Sequence, residues 1–151
     1  MYRTLSLVAV SLLIVLTLAA PAASQTADAD GARRAALDYL EGFYEGSPDK
    51  IRRGVHPEVV KYGFYRPDGA EGYQGTGMTF EEMIGFAENV RDEGSQPGPD
   101  APKEVILLDV QDQIAVAKVV AWWGSDYLQM AKYNGEWKVM HVVWQSPQIT
   151  S

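Results

Sequence analysis

The sequence predicts a single α+β domain, with about three N-terminal helices packed in a strongly bent antiparallel sheet. Two features of the chain carry that expectation. Helical periodicity and capping signals fall before residue 91, and from Glu104 onward every segment is rich in β-branched and aromatic residues divided by short polar turns. Composition sets the scale: 151 residues, 46% apolar and 22% charged, suit one ordinary hydrophobic core. The absence of cysteine removes disulfides, thiolate zinc sites and a lipidated cysteine from consideration.

The chain opens with Arg3, an uncharged apolar run over Leu5 to Ala20, and the small-residue stretch Pro21-Ala22-Ala23-Ser24. This is the order of a signal peptide over residues 1–24, and the expected mature domain covers 25–151. An uncleaved membrane anchor is the competing reading, since the run approaches spanning length. Cleavage removes Arg3 as its sole charge, taking the formal net charge from −7 to −8. The expected product is an exported, periplasmic or secreted, acidic domain with no stable membrane insertion. Nucleic acid is an unsuitable partner because no basic stripe is present to neutralise phosphates.

The first helix is signalled by Asp30 as a cap, by Leu37, Leu40, Phe43 and Tyr44 at helical spacing, and by Gly46 as the stop. Ser47, Pro48 and Asp49 start a second, short helix that Pro57 ends, with Arg52 and Arg53 on a solvated face. Val59 to Tyr65 reads as a strand, with Pro67-Asp68-Gly69 turning into a weaker return segment near Tyr73. Thr79 and Glu82 form a capping box for a third helix carrying Phe80, Met83, Ile84, Ala87 and Val90. A loop over 92–103 leads to four strands: Glu104 to Val110, Gln113 to Trp123, Asp126 to Tyr133 and Glu136 to Gln145.

Asn134-Gly135 is a type I′ hairpin signal, and Gly124-Ser125 reads as the preceding turn. Regular two-residue turns place Met130 opposite Val139, Leu128 opposite His141 and Asp126 opposite Val143. One face then carries Trp123, Asp126, Leu128, Met130, Val139 and His141, with Asp126 and His141 as its polar pair. Those two are the acid–base candidates, and Tyr39 and Phe43 of the first helix are the expected ceiling. The expected ligand contacts are therefore Tyr39, Phe43, Trp123, Asp126, Leu128, Met130 and His141. The opposite face, with Trp122, Tyr127, Met140 and Trp144, is too apolar for open water, so a homodimer through it is expected. No metal site is expected, because His56 and His141 lie on different elements, and no cofactor is implied.

The segments Ala36-Leu37-Asp38-Tyr39-Leu40-Glu41-Gly42-Phe43-Tyr44-Glu45-Gly46, His56-Pro57, Asp126-Tyr127-Leu128 and Asn134 to Trp144 resemble the nuclear transport factor 2-like superfamily, and within it the group named Putative lumazine-binding. The resemblance spans nearly the whole mature chain. It implies a cone-shaped α+β barrel whose bent sheet wraps a long first helix around an apolar cavity, often dimeric through the sheet. It also implies a range of functions, from ketosteroid isomerases, cyclases and dehydratases to binding and assembly modules. Tyr39 falls where the isomerases carry an oxyanion-stabilising tyrosine. Where they place a carboxylate base, this chain departs and reads Lys61-Tyr62-Gly63-Phe64.

Three functions follow as expectations. The first is an exported domain binding a small apolar or aromatic molecule. The second is an isomerase-, dehydratase- or cyclase-type enzyme using Asp126 or His141 with Tyr39. The third is an interaction or structural module whose interior is filled.

Overall fold

The computed structural model describes residues 20–148, and the side chains of residues 24–148. Most of the expected signal peptide therefore lies outside the described residues. Helix α1 covers Ala20–Glu45, starting ten residues before the Asp30 cue and running back into the expected cleavage zone. Helix α2 (Pro48–Gly54) follows at once, then strands β1 (Val55–Tyr65) and β2 (Gln74–Met78), helix α3 (Phe80–Glu93), and β3 (Lys103–Val110), β4 (Ile114–Ala121), β5 (Gly124–Tyr133) and β6 (Glu136–Gln145).

The six strands form one sheet in the order β2-β1-β6-β5-β4-β3. It is mixed rather than wholly antiparallel, because β1 runs parallel to β6 while every other pair is antiparallel. The sheet curls about α1, which touches β1, β3, β4 and β6, yet β2 and β3 remain edges, so the expected barrel does not close. The core under α1 contains Leu40, Ile51, Val119, Leu128, Val139 and Val142.

Local chemistry explains most boundaries. The Thr79 hydroxyl accepts from the Glu82 amide at 3.2 Å and the Glu82 carboxylate accepts from the Thr79 amide at 2.7 Å, the full capping box. Arg53 stays solvent-exposed, as expected, yet it also grips the buried Asp38 carboxylate with two bonds of 2.7 Å and ties α2 to α1. Asn134 (φ 50°) and Gly135 (φ 84°) make the anticipated β5–β6 turn, opposite which Tyr133 pairs with Glu136.

Two registers differ from expectation. The β4–β5 turn is Trp122-Trp123, not Gly124-Ser125: Ala121 pairs with Gly124 and Val119 with Asp126. Gly124 serves close approach instead, since a Cβ there would stand 1.9 Å from the Gln145 carbonyl oxygen. The pairing centre moves by two residues, so Ala115, Ala117, Val119 and Ala121 still share a buried face with Asp126, Leu128 and Met130. In β5–β6 a bulge intervenes. Met130 pairs with Val139 but Gln129 pairs with His141, leaving Met140 as the extra residue. Beyond it every side chain changes face, so Val142 and Trp144 turn inward while His141 and Val143 turn outward.

Candidate functional site

The inward face of β1 carries Val59, Lys61 and Gly63 by strand alternation. Lys61 neighbours Val142, and Gly63 neighbours Trp144, in the parallel pairing with β6. A Cβ at Gly63 would lie 2.1 Å from Trp144 Cδ1, so the indole occupies space that a glycine alone leaves free. Across the sheet Trp144 pairs with Asp126 of β5. Tyr39 of α1 comes down between Lys61 and Asp126 from above the sheet.

These residues form a chain of hydrogen bonds. Lys61 Nζ donates to the Tyr39 hydroxyl at 2.8 Å, and Tyr39 donates to Asp126 Oδ2 at 2.5 Å. Trp123 Nε1 donates to Asp126 Oδ1 at 2.8 Å, so both carboxylate oxygens are occupied. Asp126 and Tyr39 have no exposed surface. Burial pushes the Asp126 carboxyl upward, against the Lys61 charge and the two donated bonds. Burial, with the Asp126 charge, holds Tyr39 a phenol well above its ordinary range. Burial pulls the Lys61 ammonium down to about 8, with Asp126 acting in the other direction. All three directions favour the uncharged forms of the lysine, tyrosine and aspartate.

Lys61 lies in the wall of a pocket of about 200 Å³ whose other sides are Phe43, Met78, Phe86, Trp123 and Trp144, with Thr76, Gly77 and the half-exposed Trp122 at the solvent side. Phe43 packs edge-on against Trp123 (ring centres 5.6 Å apart, 80° between planes) and against Phe86 (5.6 Å, 76°). The Lys61 ammonium sits 4.7 Å from the Phe43 ring centre and 6.0 Å from that of Trp144, where aromatic faces compensate part of its lost hydration. Beside the pocket, the Tyr44 hydroxyl accepts from the Trp122 amide at 2.9 Å and donates to the Pro102 carbonyl. One side chain of α1 thereby holds both the β4–β5 turn and the loop before β3.

Of the residues expected at the site, Tyr39, Phe43, Trp123 and Asp126 come together. Leu128 and Met130 lie on the same face but are sealed in the core and do not line the pocket. His141 does not reach it. The bulge places it on the outer face, exposed, with Nδ1 3.1 Å from Gln129 Oε1. Trp144, expected on the outer face, is a pocket wall for the same reason. His56 is remote from the pocket, stacked on Tyr133 at 4.8 Å. Lys61 is the central residue that sequence reasoning passed over, although alternation from Val59 puts it inward and the resemblance singled out its position. Among the described residues no group of three or more His, Cys, Asp or Glu could hold a metal ion.

The chain matches the family described as Putative lumazine-binding over residues 27–145. No curated protein matches it. Among solved structures it is similar to an NTF2-like protein of unknown function from Silicibacter pomeroyi (14% identity, TM-score 0.60, covering 79% of this chain and 95% of that one). It is also similar to an NTF2-like protein of unknown function from Shewanella baltica (16%, 0.59, 87% and 100%). A third is described as a Putative Scytalone Dehydratase from Novosphingobium aromaticivorans (12%, 0.56, 85% and 90%). Identities this low speak to the fold alone.

Proposed function

The chain belongs to the Putative lumazine-binding family of the nuclear transport factor 2-like superfamily, and from that premise we propose an exported domain that binds a small, flat, largely aromatic molecule. One observation carries the reading: an aromatic pocket with a partly buried ammonium in its wall. Pockets for drug-sized ligands measure roughly 300–1,000 Å³, so about 200 Å³ suits a molecule of one or two rings. Its ring system would lie among Phe43, Trp123 and Trp144, with an acceptor oxygen directed at Lys61 Nζ. A lumazine, a flat bicyclic dione, has that shape and those acceptors and is the first compound to try. A filled-core interaction module is less well supported, because this interior has an unfilled, one-sided pocket.

The second reading is an isomerase-, dehydratase- or cyclase-type enzyme, favoured by the bonded chain from Lys61 through Tyr39 to Asp126. Both Asp126 oxygens are engaged and neither Asp126 nor Tyr39 lines the pocket, so acid–base work in it would pass through Lys61. Export is supported by the Leu5 to Ala20 run and the small residues after it. A homodimer is supported by the apolar outer face of the sheet.

Native mass spectrometry of protein taken from its own export route tests these together. The expected spectrum is a dimer of chains beginning near Gln25 with a retained small molecule that denaturation releases. Added lumazine should quench tryptophan emission saturably and raise stability as RT ln(1 + [L]/Kd), about 2.7 kcal/mol at a hundredfold excess over Kd. An empty protein that also ignores a panel of mono- and bicyclic aromatics overturns the binding reading. A peptide retaining Arg3 overturns cleavage.

A further inference from the structure

We propose that Lys61 is a covalent capture site, whose amine condenses with the carbonyl carbon of an aromatic or conjugated aldehyde seated in the pocket. This deepens the binding reading above and rests on it. The geometry meets the requirements of imine chemistry in turn. The nucleophile must be a wall group with hydrogens to spare: Lys61 spends one N–H on Tyr39, and its Nζ stands 4.7 Å from the Phe43 ring centre and 6.0 Å from that of Trp144, both pocket walls. It must be able to shed its proton. Tyr39 accepts from Nζ at 2.8 Å and donates to Asp126 Oδ2 at 2.5 Å, so a proton leaving the ammonium enters the phenol oxygen as the phenol proton passes to the carboxylate. The result is a neutral amine, an intact tyrosine and a protonated Asp126, three uncharged groups in an apolar site.

The step balances without a redox partner. The Nζ lone pair attacks the carbonyl carbon, the C=O π electrons move to oxygen, and one of the two amine protons passes from nitrogen to that oxygen, giving a neutral carbinolamine. The proton held on Asp126 returns through Tyr39 to the Lys61 nitrogen and from there to the carbinolamine hydroxyl, which leaves as water while the nitrogen lone pair closes the C=N bond. A protonated imine and an Asp126 carboxylate remain, the same charges as at the start. An aromatic aldehyde is the fitting class because its ring occupies the Phe43, Trp123 and Trp144 walls while its carbonyl points to the one amine. A ligand carboxylate would use Lys61 differently, as a fixed cation with no bond formed.

Benzaldehyde, cinnamaldehyde and 2-naphthaldehyde, each with sodium cyanoborohydride near neutral pH, test the proposal on the whole protein. Peptide mapping should find a reduced adduct at Lys61, forming roughly a hundredfold faster than at the other lysines, since a pKa near 8 leaves far more free amine than the ordinary 10.5. Lys61→Arg keeps a cation but has no amine able to condense, and should give no adduct at this site. Tyr39→Phe should retain binding of the corresponding alcohols, read by tryptophan quenching, but slow adduct formation about tenfold or more by breaking the proton path. Saturable binding of the alcohols with Lys61 labelled no faster than other lysines overturns covalent capture and leaves the pocket reading standing. Tighter binding of the matching carboxylates, with no adduct, also overturns it by making Lys61 an anion anchor. Failure of aldehydes, alcohols and carboxylates alike to bind overturns both.

Discussion

Lys61 gives the folded protein a pH signature of its own. Its ammonium titrates near 8 when folded and near 10.5 when unfolded. Between those values the unfolded chain holds the proton and the folded chain does not, so stability rises with pH across the interval. Below pH 8 the whole cost of the buried charge is present, on the order of 3 kcal/mol. Lys61→Met should remove that rise, as urea unfolding at pH 7.5 and pH 10 would measure; an unchanged slope would mean the amine is solvated. Tyr39 and Asp126 were legible in the sequence because a tyrosine on a helical stripe and an aspartate on an apolar strand face stand out. Lys61 was not, because a lysine in a strand ordinarily reads as a solvated residue, and only the Tyr39 and Asp126 partners brought in by other elements make its burial tolerable.

The β5–β6 hairpin shows why turn chemistry fixes one end of a strand and packing the other. Asn134-Gly135 sets residues 136–139 as expected, but a regular continuation would bury His141 and Val143 and expose Val142 and Trp144. Inserting Met140 as a bulge exchanges these pairs, burying Val142, bringing an indole into the pocket wall and leaving an imidazole in water. Nothing in the sequence between residues 136 and 145 marks the bulge, since both registers present alternating apolar residues. It follows that His141→Ala should change stability by no more than about 0.5 kcal/mol and leave ligand-induced stabilisation intact, by denaturant titration with and without lumazine. A loss of 2 kcal/mol or more would restore the regular register. By contrast, the α3 capping box and the short helix after Ser47 were legible because their signals are local and nothing distant competes with them.

At the scale of the molecule, the sheet leaves a lateral row on its outer face: Tyr62 pairs with Val143, and Val143 with Tyr127, the latter two 57% and 51% exposed. This row replaces the Met140 and Trp144 patch that the regular register implied, and it is where the proposed second copy would sit. Val143→Asp should yield a monomer at micromolar concentration with an unchanged pocket, since a charge desolvated in that contact costs several kcal/mol. Sedimentation velocity reads the outcome, and a wild type that already sediments as a monomer refutes the dimer. The α+β class and the order of elements were legible from periodicity. The parallel β1–β6 pairing was not, because it depends on where a long connection returns the chain.

The Tyr44 hydroxyl, shared between the Trp122 amide and the Pro102 carbonyl, bears on time rather than on affinity. It touches no expected ligand atom, yet it pins the turn that carries two of the pocket's tryptophans, so it acts on the rate at which that side of the pocket yields. Tyr44→Phe removes two hydrogen bonds from the latched arrangement while leaving the walls in place. Ligand should then enter and leave roughly five- to tenfold faster, with the two rates rising together and Kd nearly constant. Stopped-flow tryptophan quenching separates them. A rise in the dissociation rate alone would make Tyr44 part of the binding surface; a rise in both would make it the element that sets residence time, a property selection could tune without altering what is bound.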